Sequence, residues 1–294
     1  MLNDSLALTQ RIPPGVRFML LSALGFALMG ACVKALGTAG IPVLEIVAAR
    51  SLVSLVISYA DIRRKHISPW GHRKSLLVLR GVLGALALMA VFYSVTTLPL
   101  AQATVLQYTY PTFTAILALI FLKERIQWAT MACIGLSLLG LIVVSLPQWD
   151  HSILTHASWW SLGAALLGAL GSGSAYVVVR RLSRTEDSSV IIFYFPMIAL
   201  PISVLLLGPA FVMPTWEQVG LMLLVGIFTQ IGQIGLTKAM AVEQAGKASA
   251  YAYIQVIFST LLGFLWFGEI PTLWTLLGGV LIIAGALINT LWKR

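Results

Sequence analysis

Ten apolar stretches, separated by short polar or Pro- and Gly-containing breaks, run through the whole chain. The hydrocarbon core of a bilayer is about 30 Å thick, and roughly 20 residues of α-helix are needed to cross it. We therefore predict ten transmembrane spans, numbered one to ten in chain order, at 17–36, 42–60, 75–95, 101–121, 127–146, 158–178, 189–207, 216–238, 248–267 and 273–292. Charged residues make up only 10% of the chain, against about a quarter in a typical soluble protein. These features exclude a single water-soluble domain and predict an all-α integral membrane protein.

The net charge of +9 has two possible meanings, a nucleic-acid footprint or a topology signal. If the N-terminus is cytoplasmic, all 19 Lys and Arg residues except Lys34 and Arg50 fall on the inner side of the ten spans. Positive residues concentrate in the cytoplasmic segments of membrane proteins. We therefore expect both termini to be cytoplasmic, in the cytoplasmic (inner) membrane if the source is bacterial, with the lipid bilayer and no nucleic acid as partner.

An internal repeat divides the chain close to its middle. An offset of 145 superimposes the pairs Ala103/Ala248, Tyr108/Tyr253, Phe113/Phe258, Glu124/Glu269 and Gly140/Gly285, and an offset of 146 superimposes Gly25/Gly171, Lys34/Arg180 and Leu36/Leu182. Each half holds five spans, an odd number, so the second half must be inverted in the membrane. Inverted repeats are typical of secondary transporters; a duplicated scaffold or membrane enzyme is the alternative. The predicted organisation is an N-terminal cytoplasmic segment (1–16), a first repeat (17–147) and a second repeat (158–292).

Several runs resemble the EamA-type repeat of the drug/metabolite transporter superfamily. They are GFALMGACVKAL (25–36), AARSLVSL (48–55) and LPLAQATVLQYTYPTFTAILALIFLKERI (98–126), with AGKASAYAYIQVIFSTLLGFLWFGEI (245–270) as the second copy. The superfamily carries amino acids, nucleotide sugars, cofactors and drugs. The resemblance implies that spans one to four and six to nine surround a central cavity, while spans five and ten stay peripheral. Spans five and ten carry few polar side chains between their ends, in agreement with this implication.

Arg50 lies about eight residues into span two, where a charge costs roughly 2.5–3.5 kcal/mol on insertion scales. One interpretation is a substrate-binding cation, whose guanidinium would hold a carboxylate or phosphate. The other is a structural partner of helix-end carbonyls or of Glu45, although Glu45 lies about 140° around the helix.

Polar side chains in the other spans are the remaining candidates for a binding site. In span eight, Gly226, Gln230, Gln233 and Thr237 share one helical face, and the 145 offset pairs the two glutamines with Ala85 and Leu88, which predicts an asymmetric cavity. Such groups can replace the hydration shell of a solute or bond helix to helix, and we favour helix contact for Thr104 and Ser172. The predicted substrate-binding residues are Arg50, Gln107, Tyr108, Tyr176, Gln230, Gln233, Tyr251, Tyr253 and Gln255.

Three further residues are candidates for gating or for a vestibule. Lys34 could line the outer vestibule or extend to the interface, and Pro111 and Pro196 could form hinges or static bends.

Glu124 and Glu269 are predicted to be structural, each near the N-terminal end of the following span. No acidic residue is predicted near the midplane, and Glu45 is the only candidate inside a span, so no carboxylate relay for protons is evident.

No catalytic motif accompanies these features, so we predict a protein that is not an enzyme and has no cofactor. Cys32 and Cys133 are interpreted as buried apolar residues, and Asp150, His151 and His156 as solvated loop residues rather than a metal site. The predicted function is a secondary-type transporter that moves a small polar or amphipathic metabolite, one with an anionic group being an option, by alternating access. A lipid-linked or drug-like substrate, an intramembrane enzyme and an assembly protein are the alternatives. We expect a functional monomer, with a dimer as the alternative.

Overall fold

The computed structural model describes residues 13–98, 100–148 and 159–292. Within these ranges ten helical spans are long and apolar enough to cross a membrane, as predicted. Eight are continuous helices: Pro14–Thr38, Val43–Arg64, Lys74–Thr97, Trp128–Ser145, Trp159–Leu182, Ser188–Leu207, Trp216–Val242 and Leu273–Leu291. Span four consists of Leu100–Gln107 and Tyr110–Leu122, and span nine of Ala245–Ala250, a 3-10 turn Tyr251–Tyr253 and Ile254–Phe267.

The breaks in spans four and nine occupy equivalent places in the two repeats. In span four the second segment starts at Tyr110 with Pro111 in its first turn, where the missing N–H of proline costs no helical hydrogen bond. Pro111 therefore begins a new helical segment and does not bend a continuous helix. Pro196 does lie inside a continuous helix, the seventh span, and Pro201 lies inside the same helix.

Both broken spans end in the same way, in a residue with left-handed backbone. Lys123 (φ 56°) ends span four and Gly268 (φ 65°) ends span nine. After each of them the amide of the next residue, Glu124 or Glu269, donates to the carbonyl six residues earlier, at 3.2 and 3.1 Å. Glycine adopts this conformation without strain, whereas lysine does so at a cost.

Small residues allow equivalent pairs of spans to approach closely in the two halves. A methyl group added at Gly25 in span one would lie 2.8 Å from the backbone nitrogen of Gly232 in span eight. The repeat counterpart of this contact joins Gly171 in span six to Ala87 in span three, at 3.0 Å. Interhelical packing of small residues is a main source of stability within a bilayer. The fold is therefore two inverted five-helix repeats that pack on each other.

Spans five and ten pack mainly on each other at the edge of the molecule. Gly140 and Gly278 face each other so closely that a methyl group on either would lie within 2.5 Å of the carbonyl oxygen of the other. Cys133 in span five contacts Gly285 in span ten and is fully buried, and Cys32 in span one is also buried. Both thiols therefore serve as packing residues.

An even number of spans places the start of span one and the end of span ten on the same side, here called the terminal face; the other side is the opposite face. Loop contacts agree with this arrangement. On the terminal face Glu186 accepts hydrogen bonds from the amides of His72 (2.9 Å) and Arg73 (2.6 Å). On the opposite face Glu45 accepts one from the amide of Val212 at 3.0 Å.

Candidate functional site

A central cavity of about 340 Å³ lies between the two repeats. Its walls come from spans one to four and six to nine, and among the described residues none from spans five or ten takes part. This arrangement agrees with the one that the family resemblance implies. The helix break of span four and the middle of span nine both border the cavity. The lining residues are Phe26, Met29, Arg50, Arg80, Gly84, Ala87, Leu88, Val91, Gln107, Tyr108, Tyr110, Ser172, Ala175, Tyr176, Phe195, Gln233 and Gln255.

Arg50 and Arg80 supply the positive charge of the cavity. The Arg50 Nη1 lies 3.6 Å from the sulfur of Met29, a weak acceptor, and its guanidinium carbon lies 5.7 Å from the ring centroid of Phe195. The Arg80 Nη2 donates to Gln233 Oε1 at 3.3 Å, and its guanidinium carbon lies 5.0 Å from the same ring. Cation–π contacts of this kind hold a desolvated guanidinium in place without neutralising it.

Arg80 lines the cavity, although from the sequence it was counted among the positive residues on the inner side of the spans. It is the seventh residue of the third span, Lys74–Thr97, and only 4% of its surface is exposed. The residues around it, in LLVLRGVLGAL, are almost all apolar. A charge within an apolar span, the signal that singled out Arg50, is present here too, but Arg80 lies so near the start of the predicted span 75–95 that a side chain reaching the interface fits the sequence equally well.

Aromatic side chains form much of the remaining wall. Tyr108, Tyr110 and Tyr176 make a continuous cluster, with ring centroids 6.1 Å apart for Tyr108 and Tyr110 and 5.2 Å apart for Tyr110 and Tyr176. Phe26 and Phe195 close the cavity from spans one and seven. The wall therefore offers flat apolar surfaces as well as polar groups.

Three amide side chains complete the polar part of the lining. Gln233 bonds to Arg80, as described above, and the Gln107 Nε2 lies 3.4 Å from the hydroxyl of Ser172, while its Oε1 has no hydrogen-bond partner among the described residues. Gln255 reaches the cavity from span nine. Six of the nine predicted substrate-binding residues thus meet in one cavity: Arg50, Gln107, Tyr108, Tyr176, Gln233 and Gln255.

The other three predicted residues lie outside this cavity. Gln230 is buried between spans eight and two, where it accepts from Ser54 at 2.6 Å and donates to Ser58 at 2.9 Å. Tyr251 and Tyr253 have no exposed surface. The Tyr253 hydroxyl donates to the carbonyl of Tyr108 at 2.7 Å, and the Tyr251 hydroxyl accepts from Thr290 at 3.2 Å. All three support the helices around the cavity.

Two ion pairs near the ends of the spans join equivalent residues of the two repeats on opposite faces. On the terminal face the Arg180 Nε donates to Glu124 Oε1 at 2.8 Å, with side-chain exposures of 11% and 9%. On the opposite face Lys34 donates to Glu269, with side-chain exposures of 42% and 57%. Lys34 also lies 4.5 Å from the ring centroid of Phe267.

Glu124 differs from its expected role at the start of span five. Its second oxygen accepts from the amide of Ala245 at 2.8 Å, at the N-terminal end of span nine. Arg180 adds bonds to the carbonyls of Met240 (2.6 Å) and Ala241 (3.0 Å). Glu124 therefore links spans four, six and nine. The sequence could not reveal this role, because only the packing of the two repeats brings the start of span nine next to Glu124.

Acidic groups are absent from the described lining of the cavity. Glu45 is buried in the first turn of span two, and one of its oxygens accepts from the amide of Val212 on the opposite face. Asp150, His151 and His156 lie outside the described residues.

Comparisons with known proteins agree with this architecture. The model of the EamA-like transporter family matches residues 13–146 and 159–291. The pseudopaline exporter of Pseudomonas aeruginosa is 32% identical over 95% of this chain and 97% of its own length. Human solute carrier family 35 member G1 is 32% identical over 92% of this chain and 77% of its own length. The riboflavin transporter of Rhizobium johnstonii is 29% identical over 74% of this chain and 69% of its own length. A crystal structure with a TM-score of 0.77 and 18% identity, covering 92% of this chain and 96% of that one, shares the fold.

Proposed function

Because the chain belongs to the EamA-like transporter family, we propose that it moves a small polar or amphipathic metabolite across a membrane by alternating access, with the central cavity as the binding site. The observation that carries this proposal is the position of the cavity, between two inverted repeats and beside the break in span four. Secondary transporters with inverted repeats bind their substrates at such a place, where interrupted helices leave backbone and side-chain groups free for a solute.

The residues proposed to contact the substrate are those that line the cavity. They are Arg50, Arg80, Gln107, Tyr108, Tyr176, Gln233 and Gln255, and the volume of about 340 Å³ is within the usual range for small-molecule sites, roughly 300–1,000 Å³. Gln230, Tyr251 and Tyr253 are proposed to hold the surrounding spans in position.

The two equivalent ion pairs support alternating access. Arg180 with Glu124 is buried on the terminal face, whereas Lys34 with Glu269 is exposed on the opposite face. Exchange of the two repeat conformations would loosen the first pair and enclose the second. In this proposal Lys34 belongs to the gate of the opposite face, and Pro111 and Pro196 lie where spans four and seven can bend.

The terminal face is proposed to be cytoplasmic, with both termini inside, and the membrane to be the cytoplasmic (inner) membrane if the source is bacterial. The names of the bacterial relatives, a pseudopaline exporter and a riboflavin transporter, support an organic metabolite as the solute. The monomer contains all walls of the cavity, so it is proposed to be the functional unit.

Efflux from proteoliposomes tests the proposal. Vesicles with purified protein are loaded with a defined mixture of amino acids, mono- and dicarboxylic acids, sugars and riboflavin, and the solutes that leave are identified by mass spectrometry against protein-free vesicles. Leu88→Trp fills the cavity and should abolish efflux, whereas Leu86→Trp, on the same span but 59% exposed, should not. Equal efflux from both variants would contradict transport through this cavity. Covalent change of a solute without movement would indicate an enzyme.

A further inference from the structure

The cavity carries an unbalanced positive charge. Arg50 and Arg80 both line it, and among the residues that the structure describes no Asp or Glu does. Guanidinium groups stay protonated in proteins. A buried charge without a counter-charge is strongly unfavourable, so a low-dielectric site with two arginines favours an occupant that brings negative charge.

The two guanidinium groups contact the same aromatic ring. Their central carbons lie 5.7 and 5.0 Å from the centroid of one ring, that of Phe195, so they cannot be further apart than the sum of these distances. Both arginines come from the first repeat. The second repeat supplies Phe195, at the place that the 145 offset pairs with Arg50, and the amide of Gln233, so the two repeats contribute differently to the charge of the cavity.

Both arginines leave most of their hydrogen-bonding capacity unused among the described residues. A guanidinium has five N–H donors, yet the bonds found are one from Arg50 to the sulfur of Met29 and one of 3.3 Å from Arg80 to Gln233. Within the described part of the chain, the Nε atoms of both arginines are buried and have no acceptor. Arg80 is only 4% exposed. Buried donors without an acceptor are rare in folded proteins and call for an explanation, and a ligand that supplies oxygen atoms is one.

We propose that the transported solute is an organic dianion whose two acidic groups bind one to Arg50 and one to Arg80. The inference rests on the proposed transport function and names its substrate class. A monoanion would leave one of the two buried charges uncompensated, whereas two carboxylates, or a carboxylate and a phosphate, neutralise both. Each acidic group can accept two hydrogen bonds from a guanidinium fork, the geometry that carboxylates and phosphates share.

The remaining lining indicates an organic body between the two acidic groups. The volume of about 340 Å³ exceeds what a single inorganic ion fills, and aromatic rings of Tyr108, Tyr176 and Phe195 face it. Gln107 Oε1 has no hydrogen-bond partner among the described residues and offers an acceptor to a hydroxyl or amine of the same solute.

Matched pairs of probes test this inference. Purified protein is titrated with succinate, glutarate and adipate, and with the monoamide of each acid, which keeps the length but removes one negative charge. Binding is measured by calorimetry and by the rise in melting temperature, because a ligand that binds the native state raises apparent stability. At least one diacid should bind about tenfold or more tightly than its monoamide. Equal or absent binding of the diacids throughout the series would overturn the proposal.

Variants of the two arginines separate recognition from folding. Arg50→Gln and Arg80→Gln should each reduce diacid affinity to that of the monoamide, while Arg50→Lys and Arg80→Lys should retain part of the preference because they keep the charge but lose the fork. Arg181→Gln, at an exposed position of span six, is the matched control and should bind like the wild type. If a glutamine variant does not fold, the lysine variant still reports the preference. A preference for diacids that survives in all four arginine variants would contradict the assignment.

The efflux experiment distinguishes this inference from the proposed function. Efflux of solutes that are mostly dianionic at pH 7 supports both. Efflux confined to neutral, cationic or monoanionic solutes keeps the transport function and overturns the dianion inference. No efflux of any solute contradicts the transport function itself.

Discussion

The hydroxyl of Tyr253 donates a hydrogen bond of 2.7 Å to the carbonyl oxygen of Tyr108, the residue that occupies the same place in the first repeat. In a continuous helix that carbonyl would accept from the amide of Thr112, which here bonds to Thr109 at 3.0 Å. The two rings also pack on each other, with centroids 5.8 Å apart. One broken span thus satisfies the backbone group that the break in the other leaves free, directly behind the cavity.

Removal of the Tyr253 hydroxyl should loosen both breaks. Tyr253→Phe leaves the carbonyl of Tyr108 without its donor, and an unsatisfied buried polar group costs about 1–3 kcal/mol. We expect a lower melting temperature and slower efflux, because Gln107 and Tyr108 line the cavity at this break. Tyr251→Phe is the control: Thr290 can still donate to the carbonyl of Ala286 at 2.8 Å, so the loss should be small. Equal losses in the two variants would contradict a special role for the Tyr253 bond.

Gln230 and Gln233 should respond in opposite ways to replacement by leucine. Gln233→Leu removes a hydrogen-bonding group from the cavity, so transport should fall strongly, while the melting temperature should change little because the one bond lost, from Arg80, is long at 3.3 Å. Gln230→Leu removes the bonds to Ser54 and Ser58, each worth roughly 0.6 kcal/mol in a membrane helix bundle, so the protein should be less stable while the folded fraction still transports. Melting temperature and initial flux are measured on the same preparations. Undiminished flux in Gln233→Leu would remove this residue from the substrate site.

The two equivalent ion pairs should differ in their contribution to stability. Glu124→Gln leaves Arg180 buried without its counter-charge, a change that typically costs about 3–5 kcal/mol. Glu269→Gln breaks the exposed pair with Lys34, for which about 0–1 kcal/mol is usual. Both substitutions preserve side-chain size, so thermal unfolding in the same detergent compares them directly. Similar losses of stability would show that the difference in exposure of the two pairs does not persist in solution.

Cysteine labelling should reveal which side of the membrane each face occupies. The native residues Cys32 and Cys133 are 4% and 0% exposed, so their thiols should react little with the label. His72 on the terminal face and Met213 on the opposite face have exposures of 89% (side chain) and 82%. A membrane-impermeant maleimide applied to intact cells should label Met213→Cys, and His72→Cys only after permeabilisation. The reverse pattern would show that the chain is inserted the other way round.

The sequence by itself determined the number of spans and the inverted arrangement. A bilayer of fixed thickness requires apolar stretches of fixed length, and an odd number of spans in each repeat leaves no choice about orientation. The span boundaries differed from the structure by a few residues, since helices extend beyond the hydrocarbon core to polar caps such as Asp187, whose side chain accepts from the amide of Ser189 at 2.8 Å. The break at Tyr108 was not predicted, because the same residues also fit an uninterrupted helix with a proline bend.

Only the tertiary structure decided which polar residues of a span meet in the cavity. Gln230 and Gln233 share one helical face, yet the first contacts serines of span two and the second contacts Arg80. Arg80 itself lies near the end of its span, where a long side chain could equally have reached the interface. Helical periodicity fixes the direction in which a side chain leaves its own axis, but the packing of ten helices decides which neighbour stands there, and a flexible side chain turns toward whichever partner that packing provides.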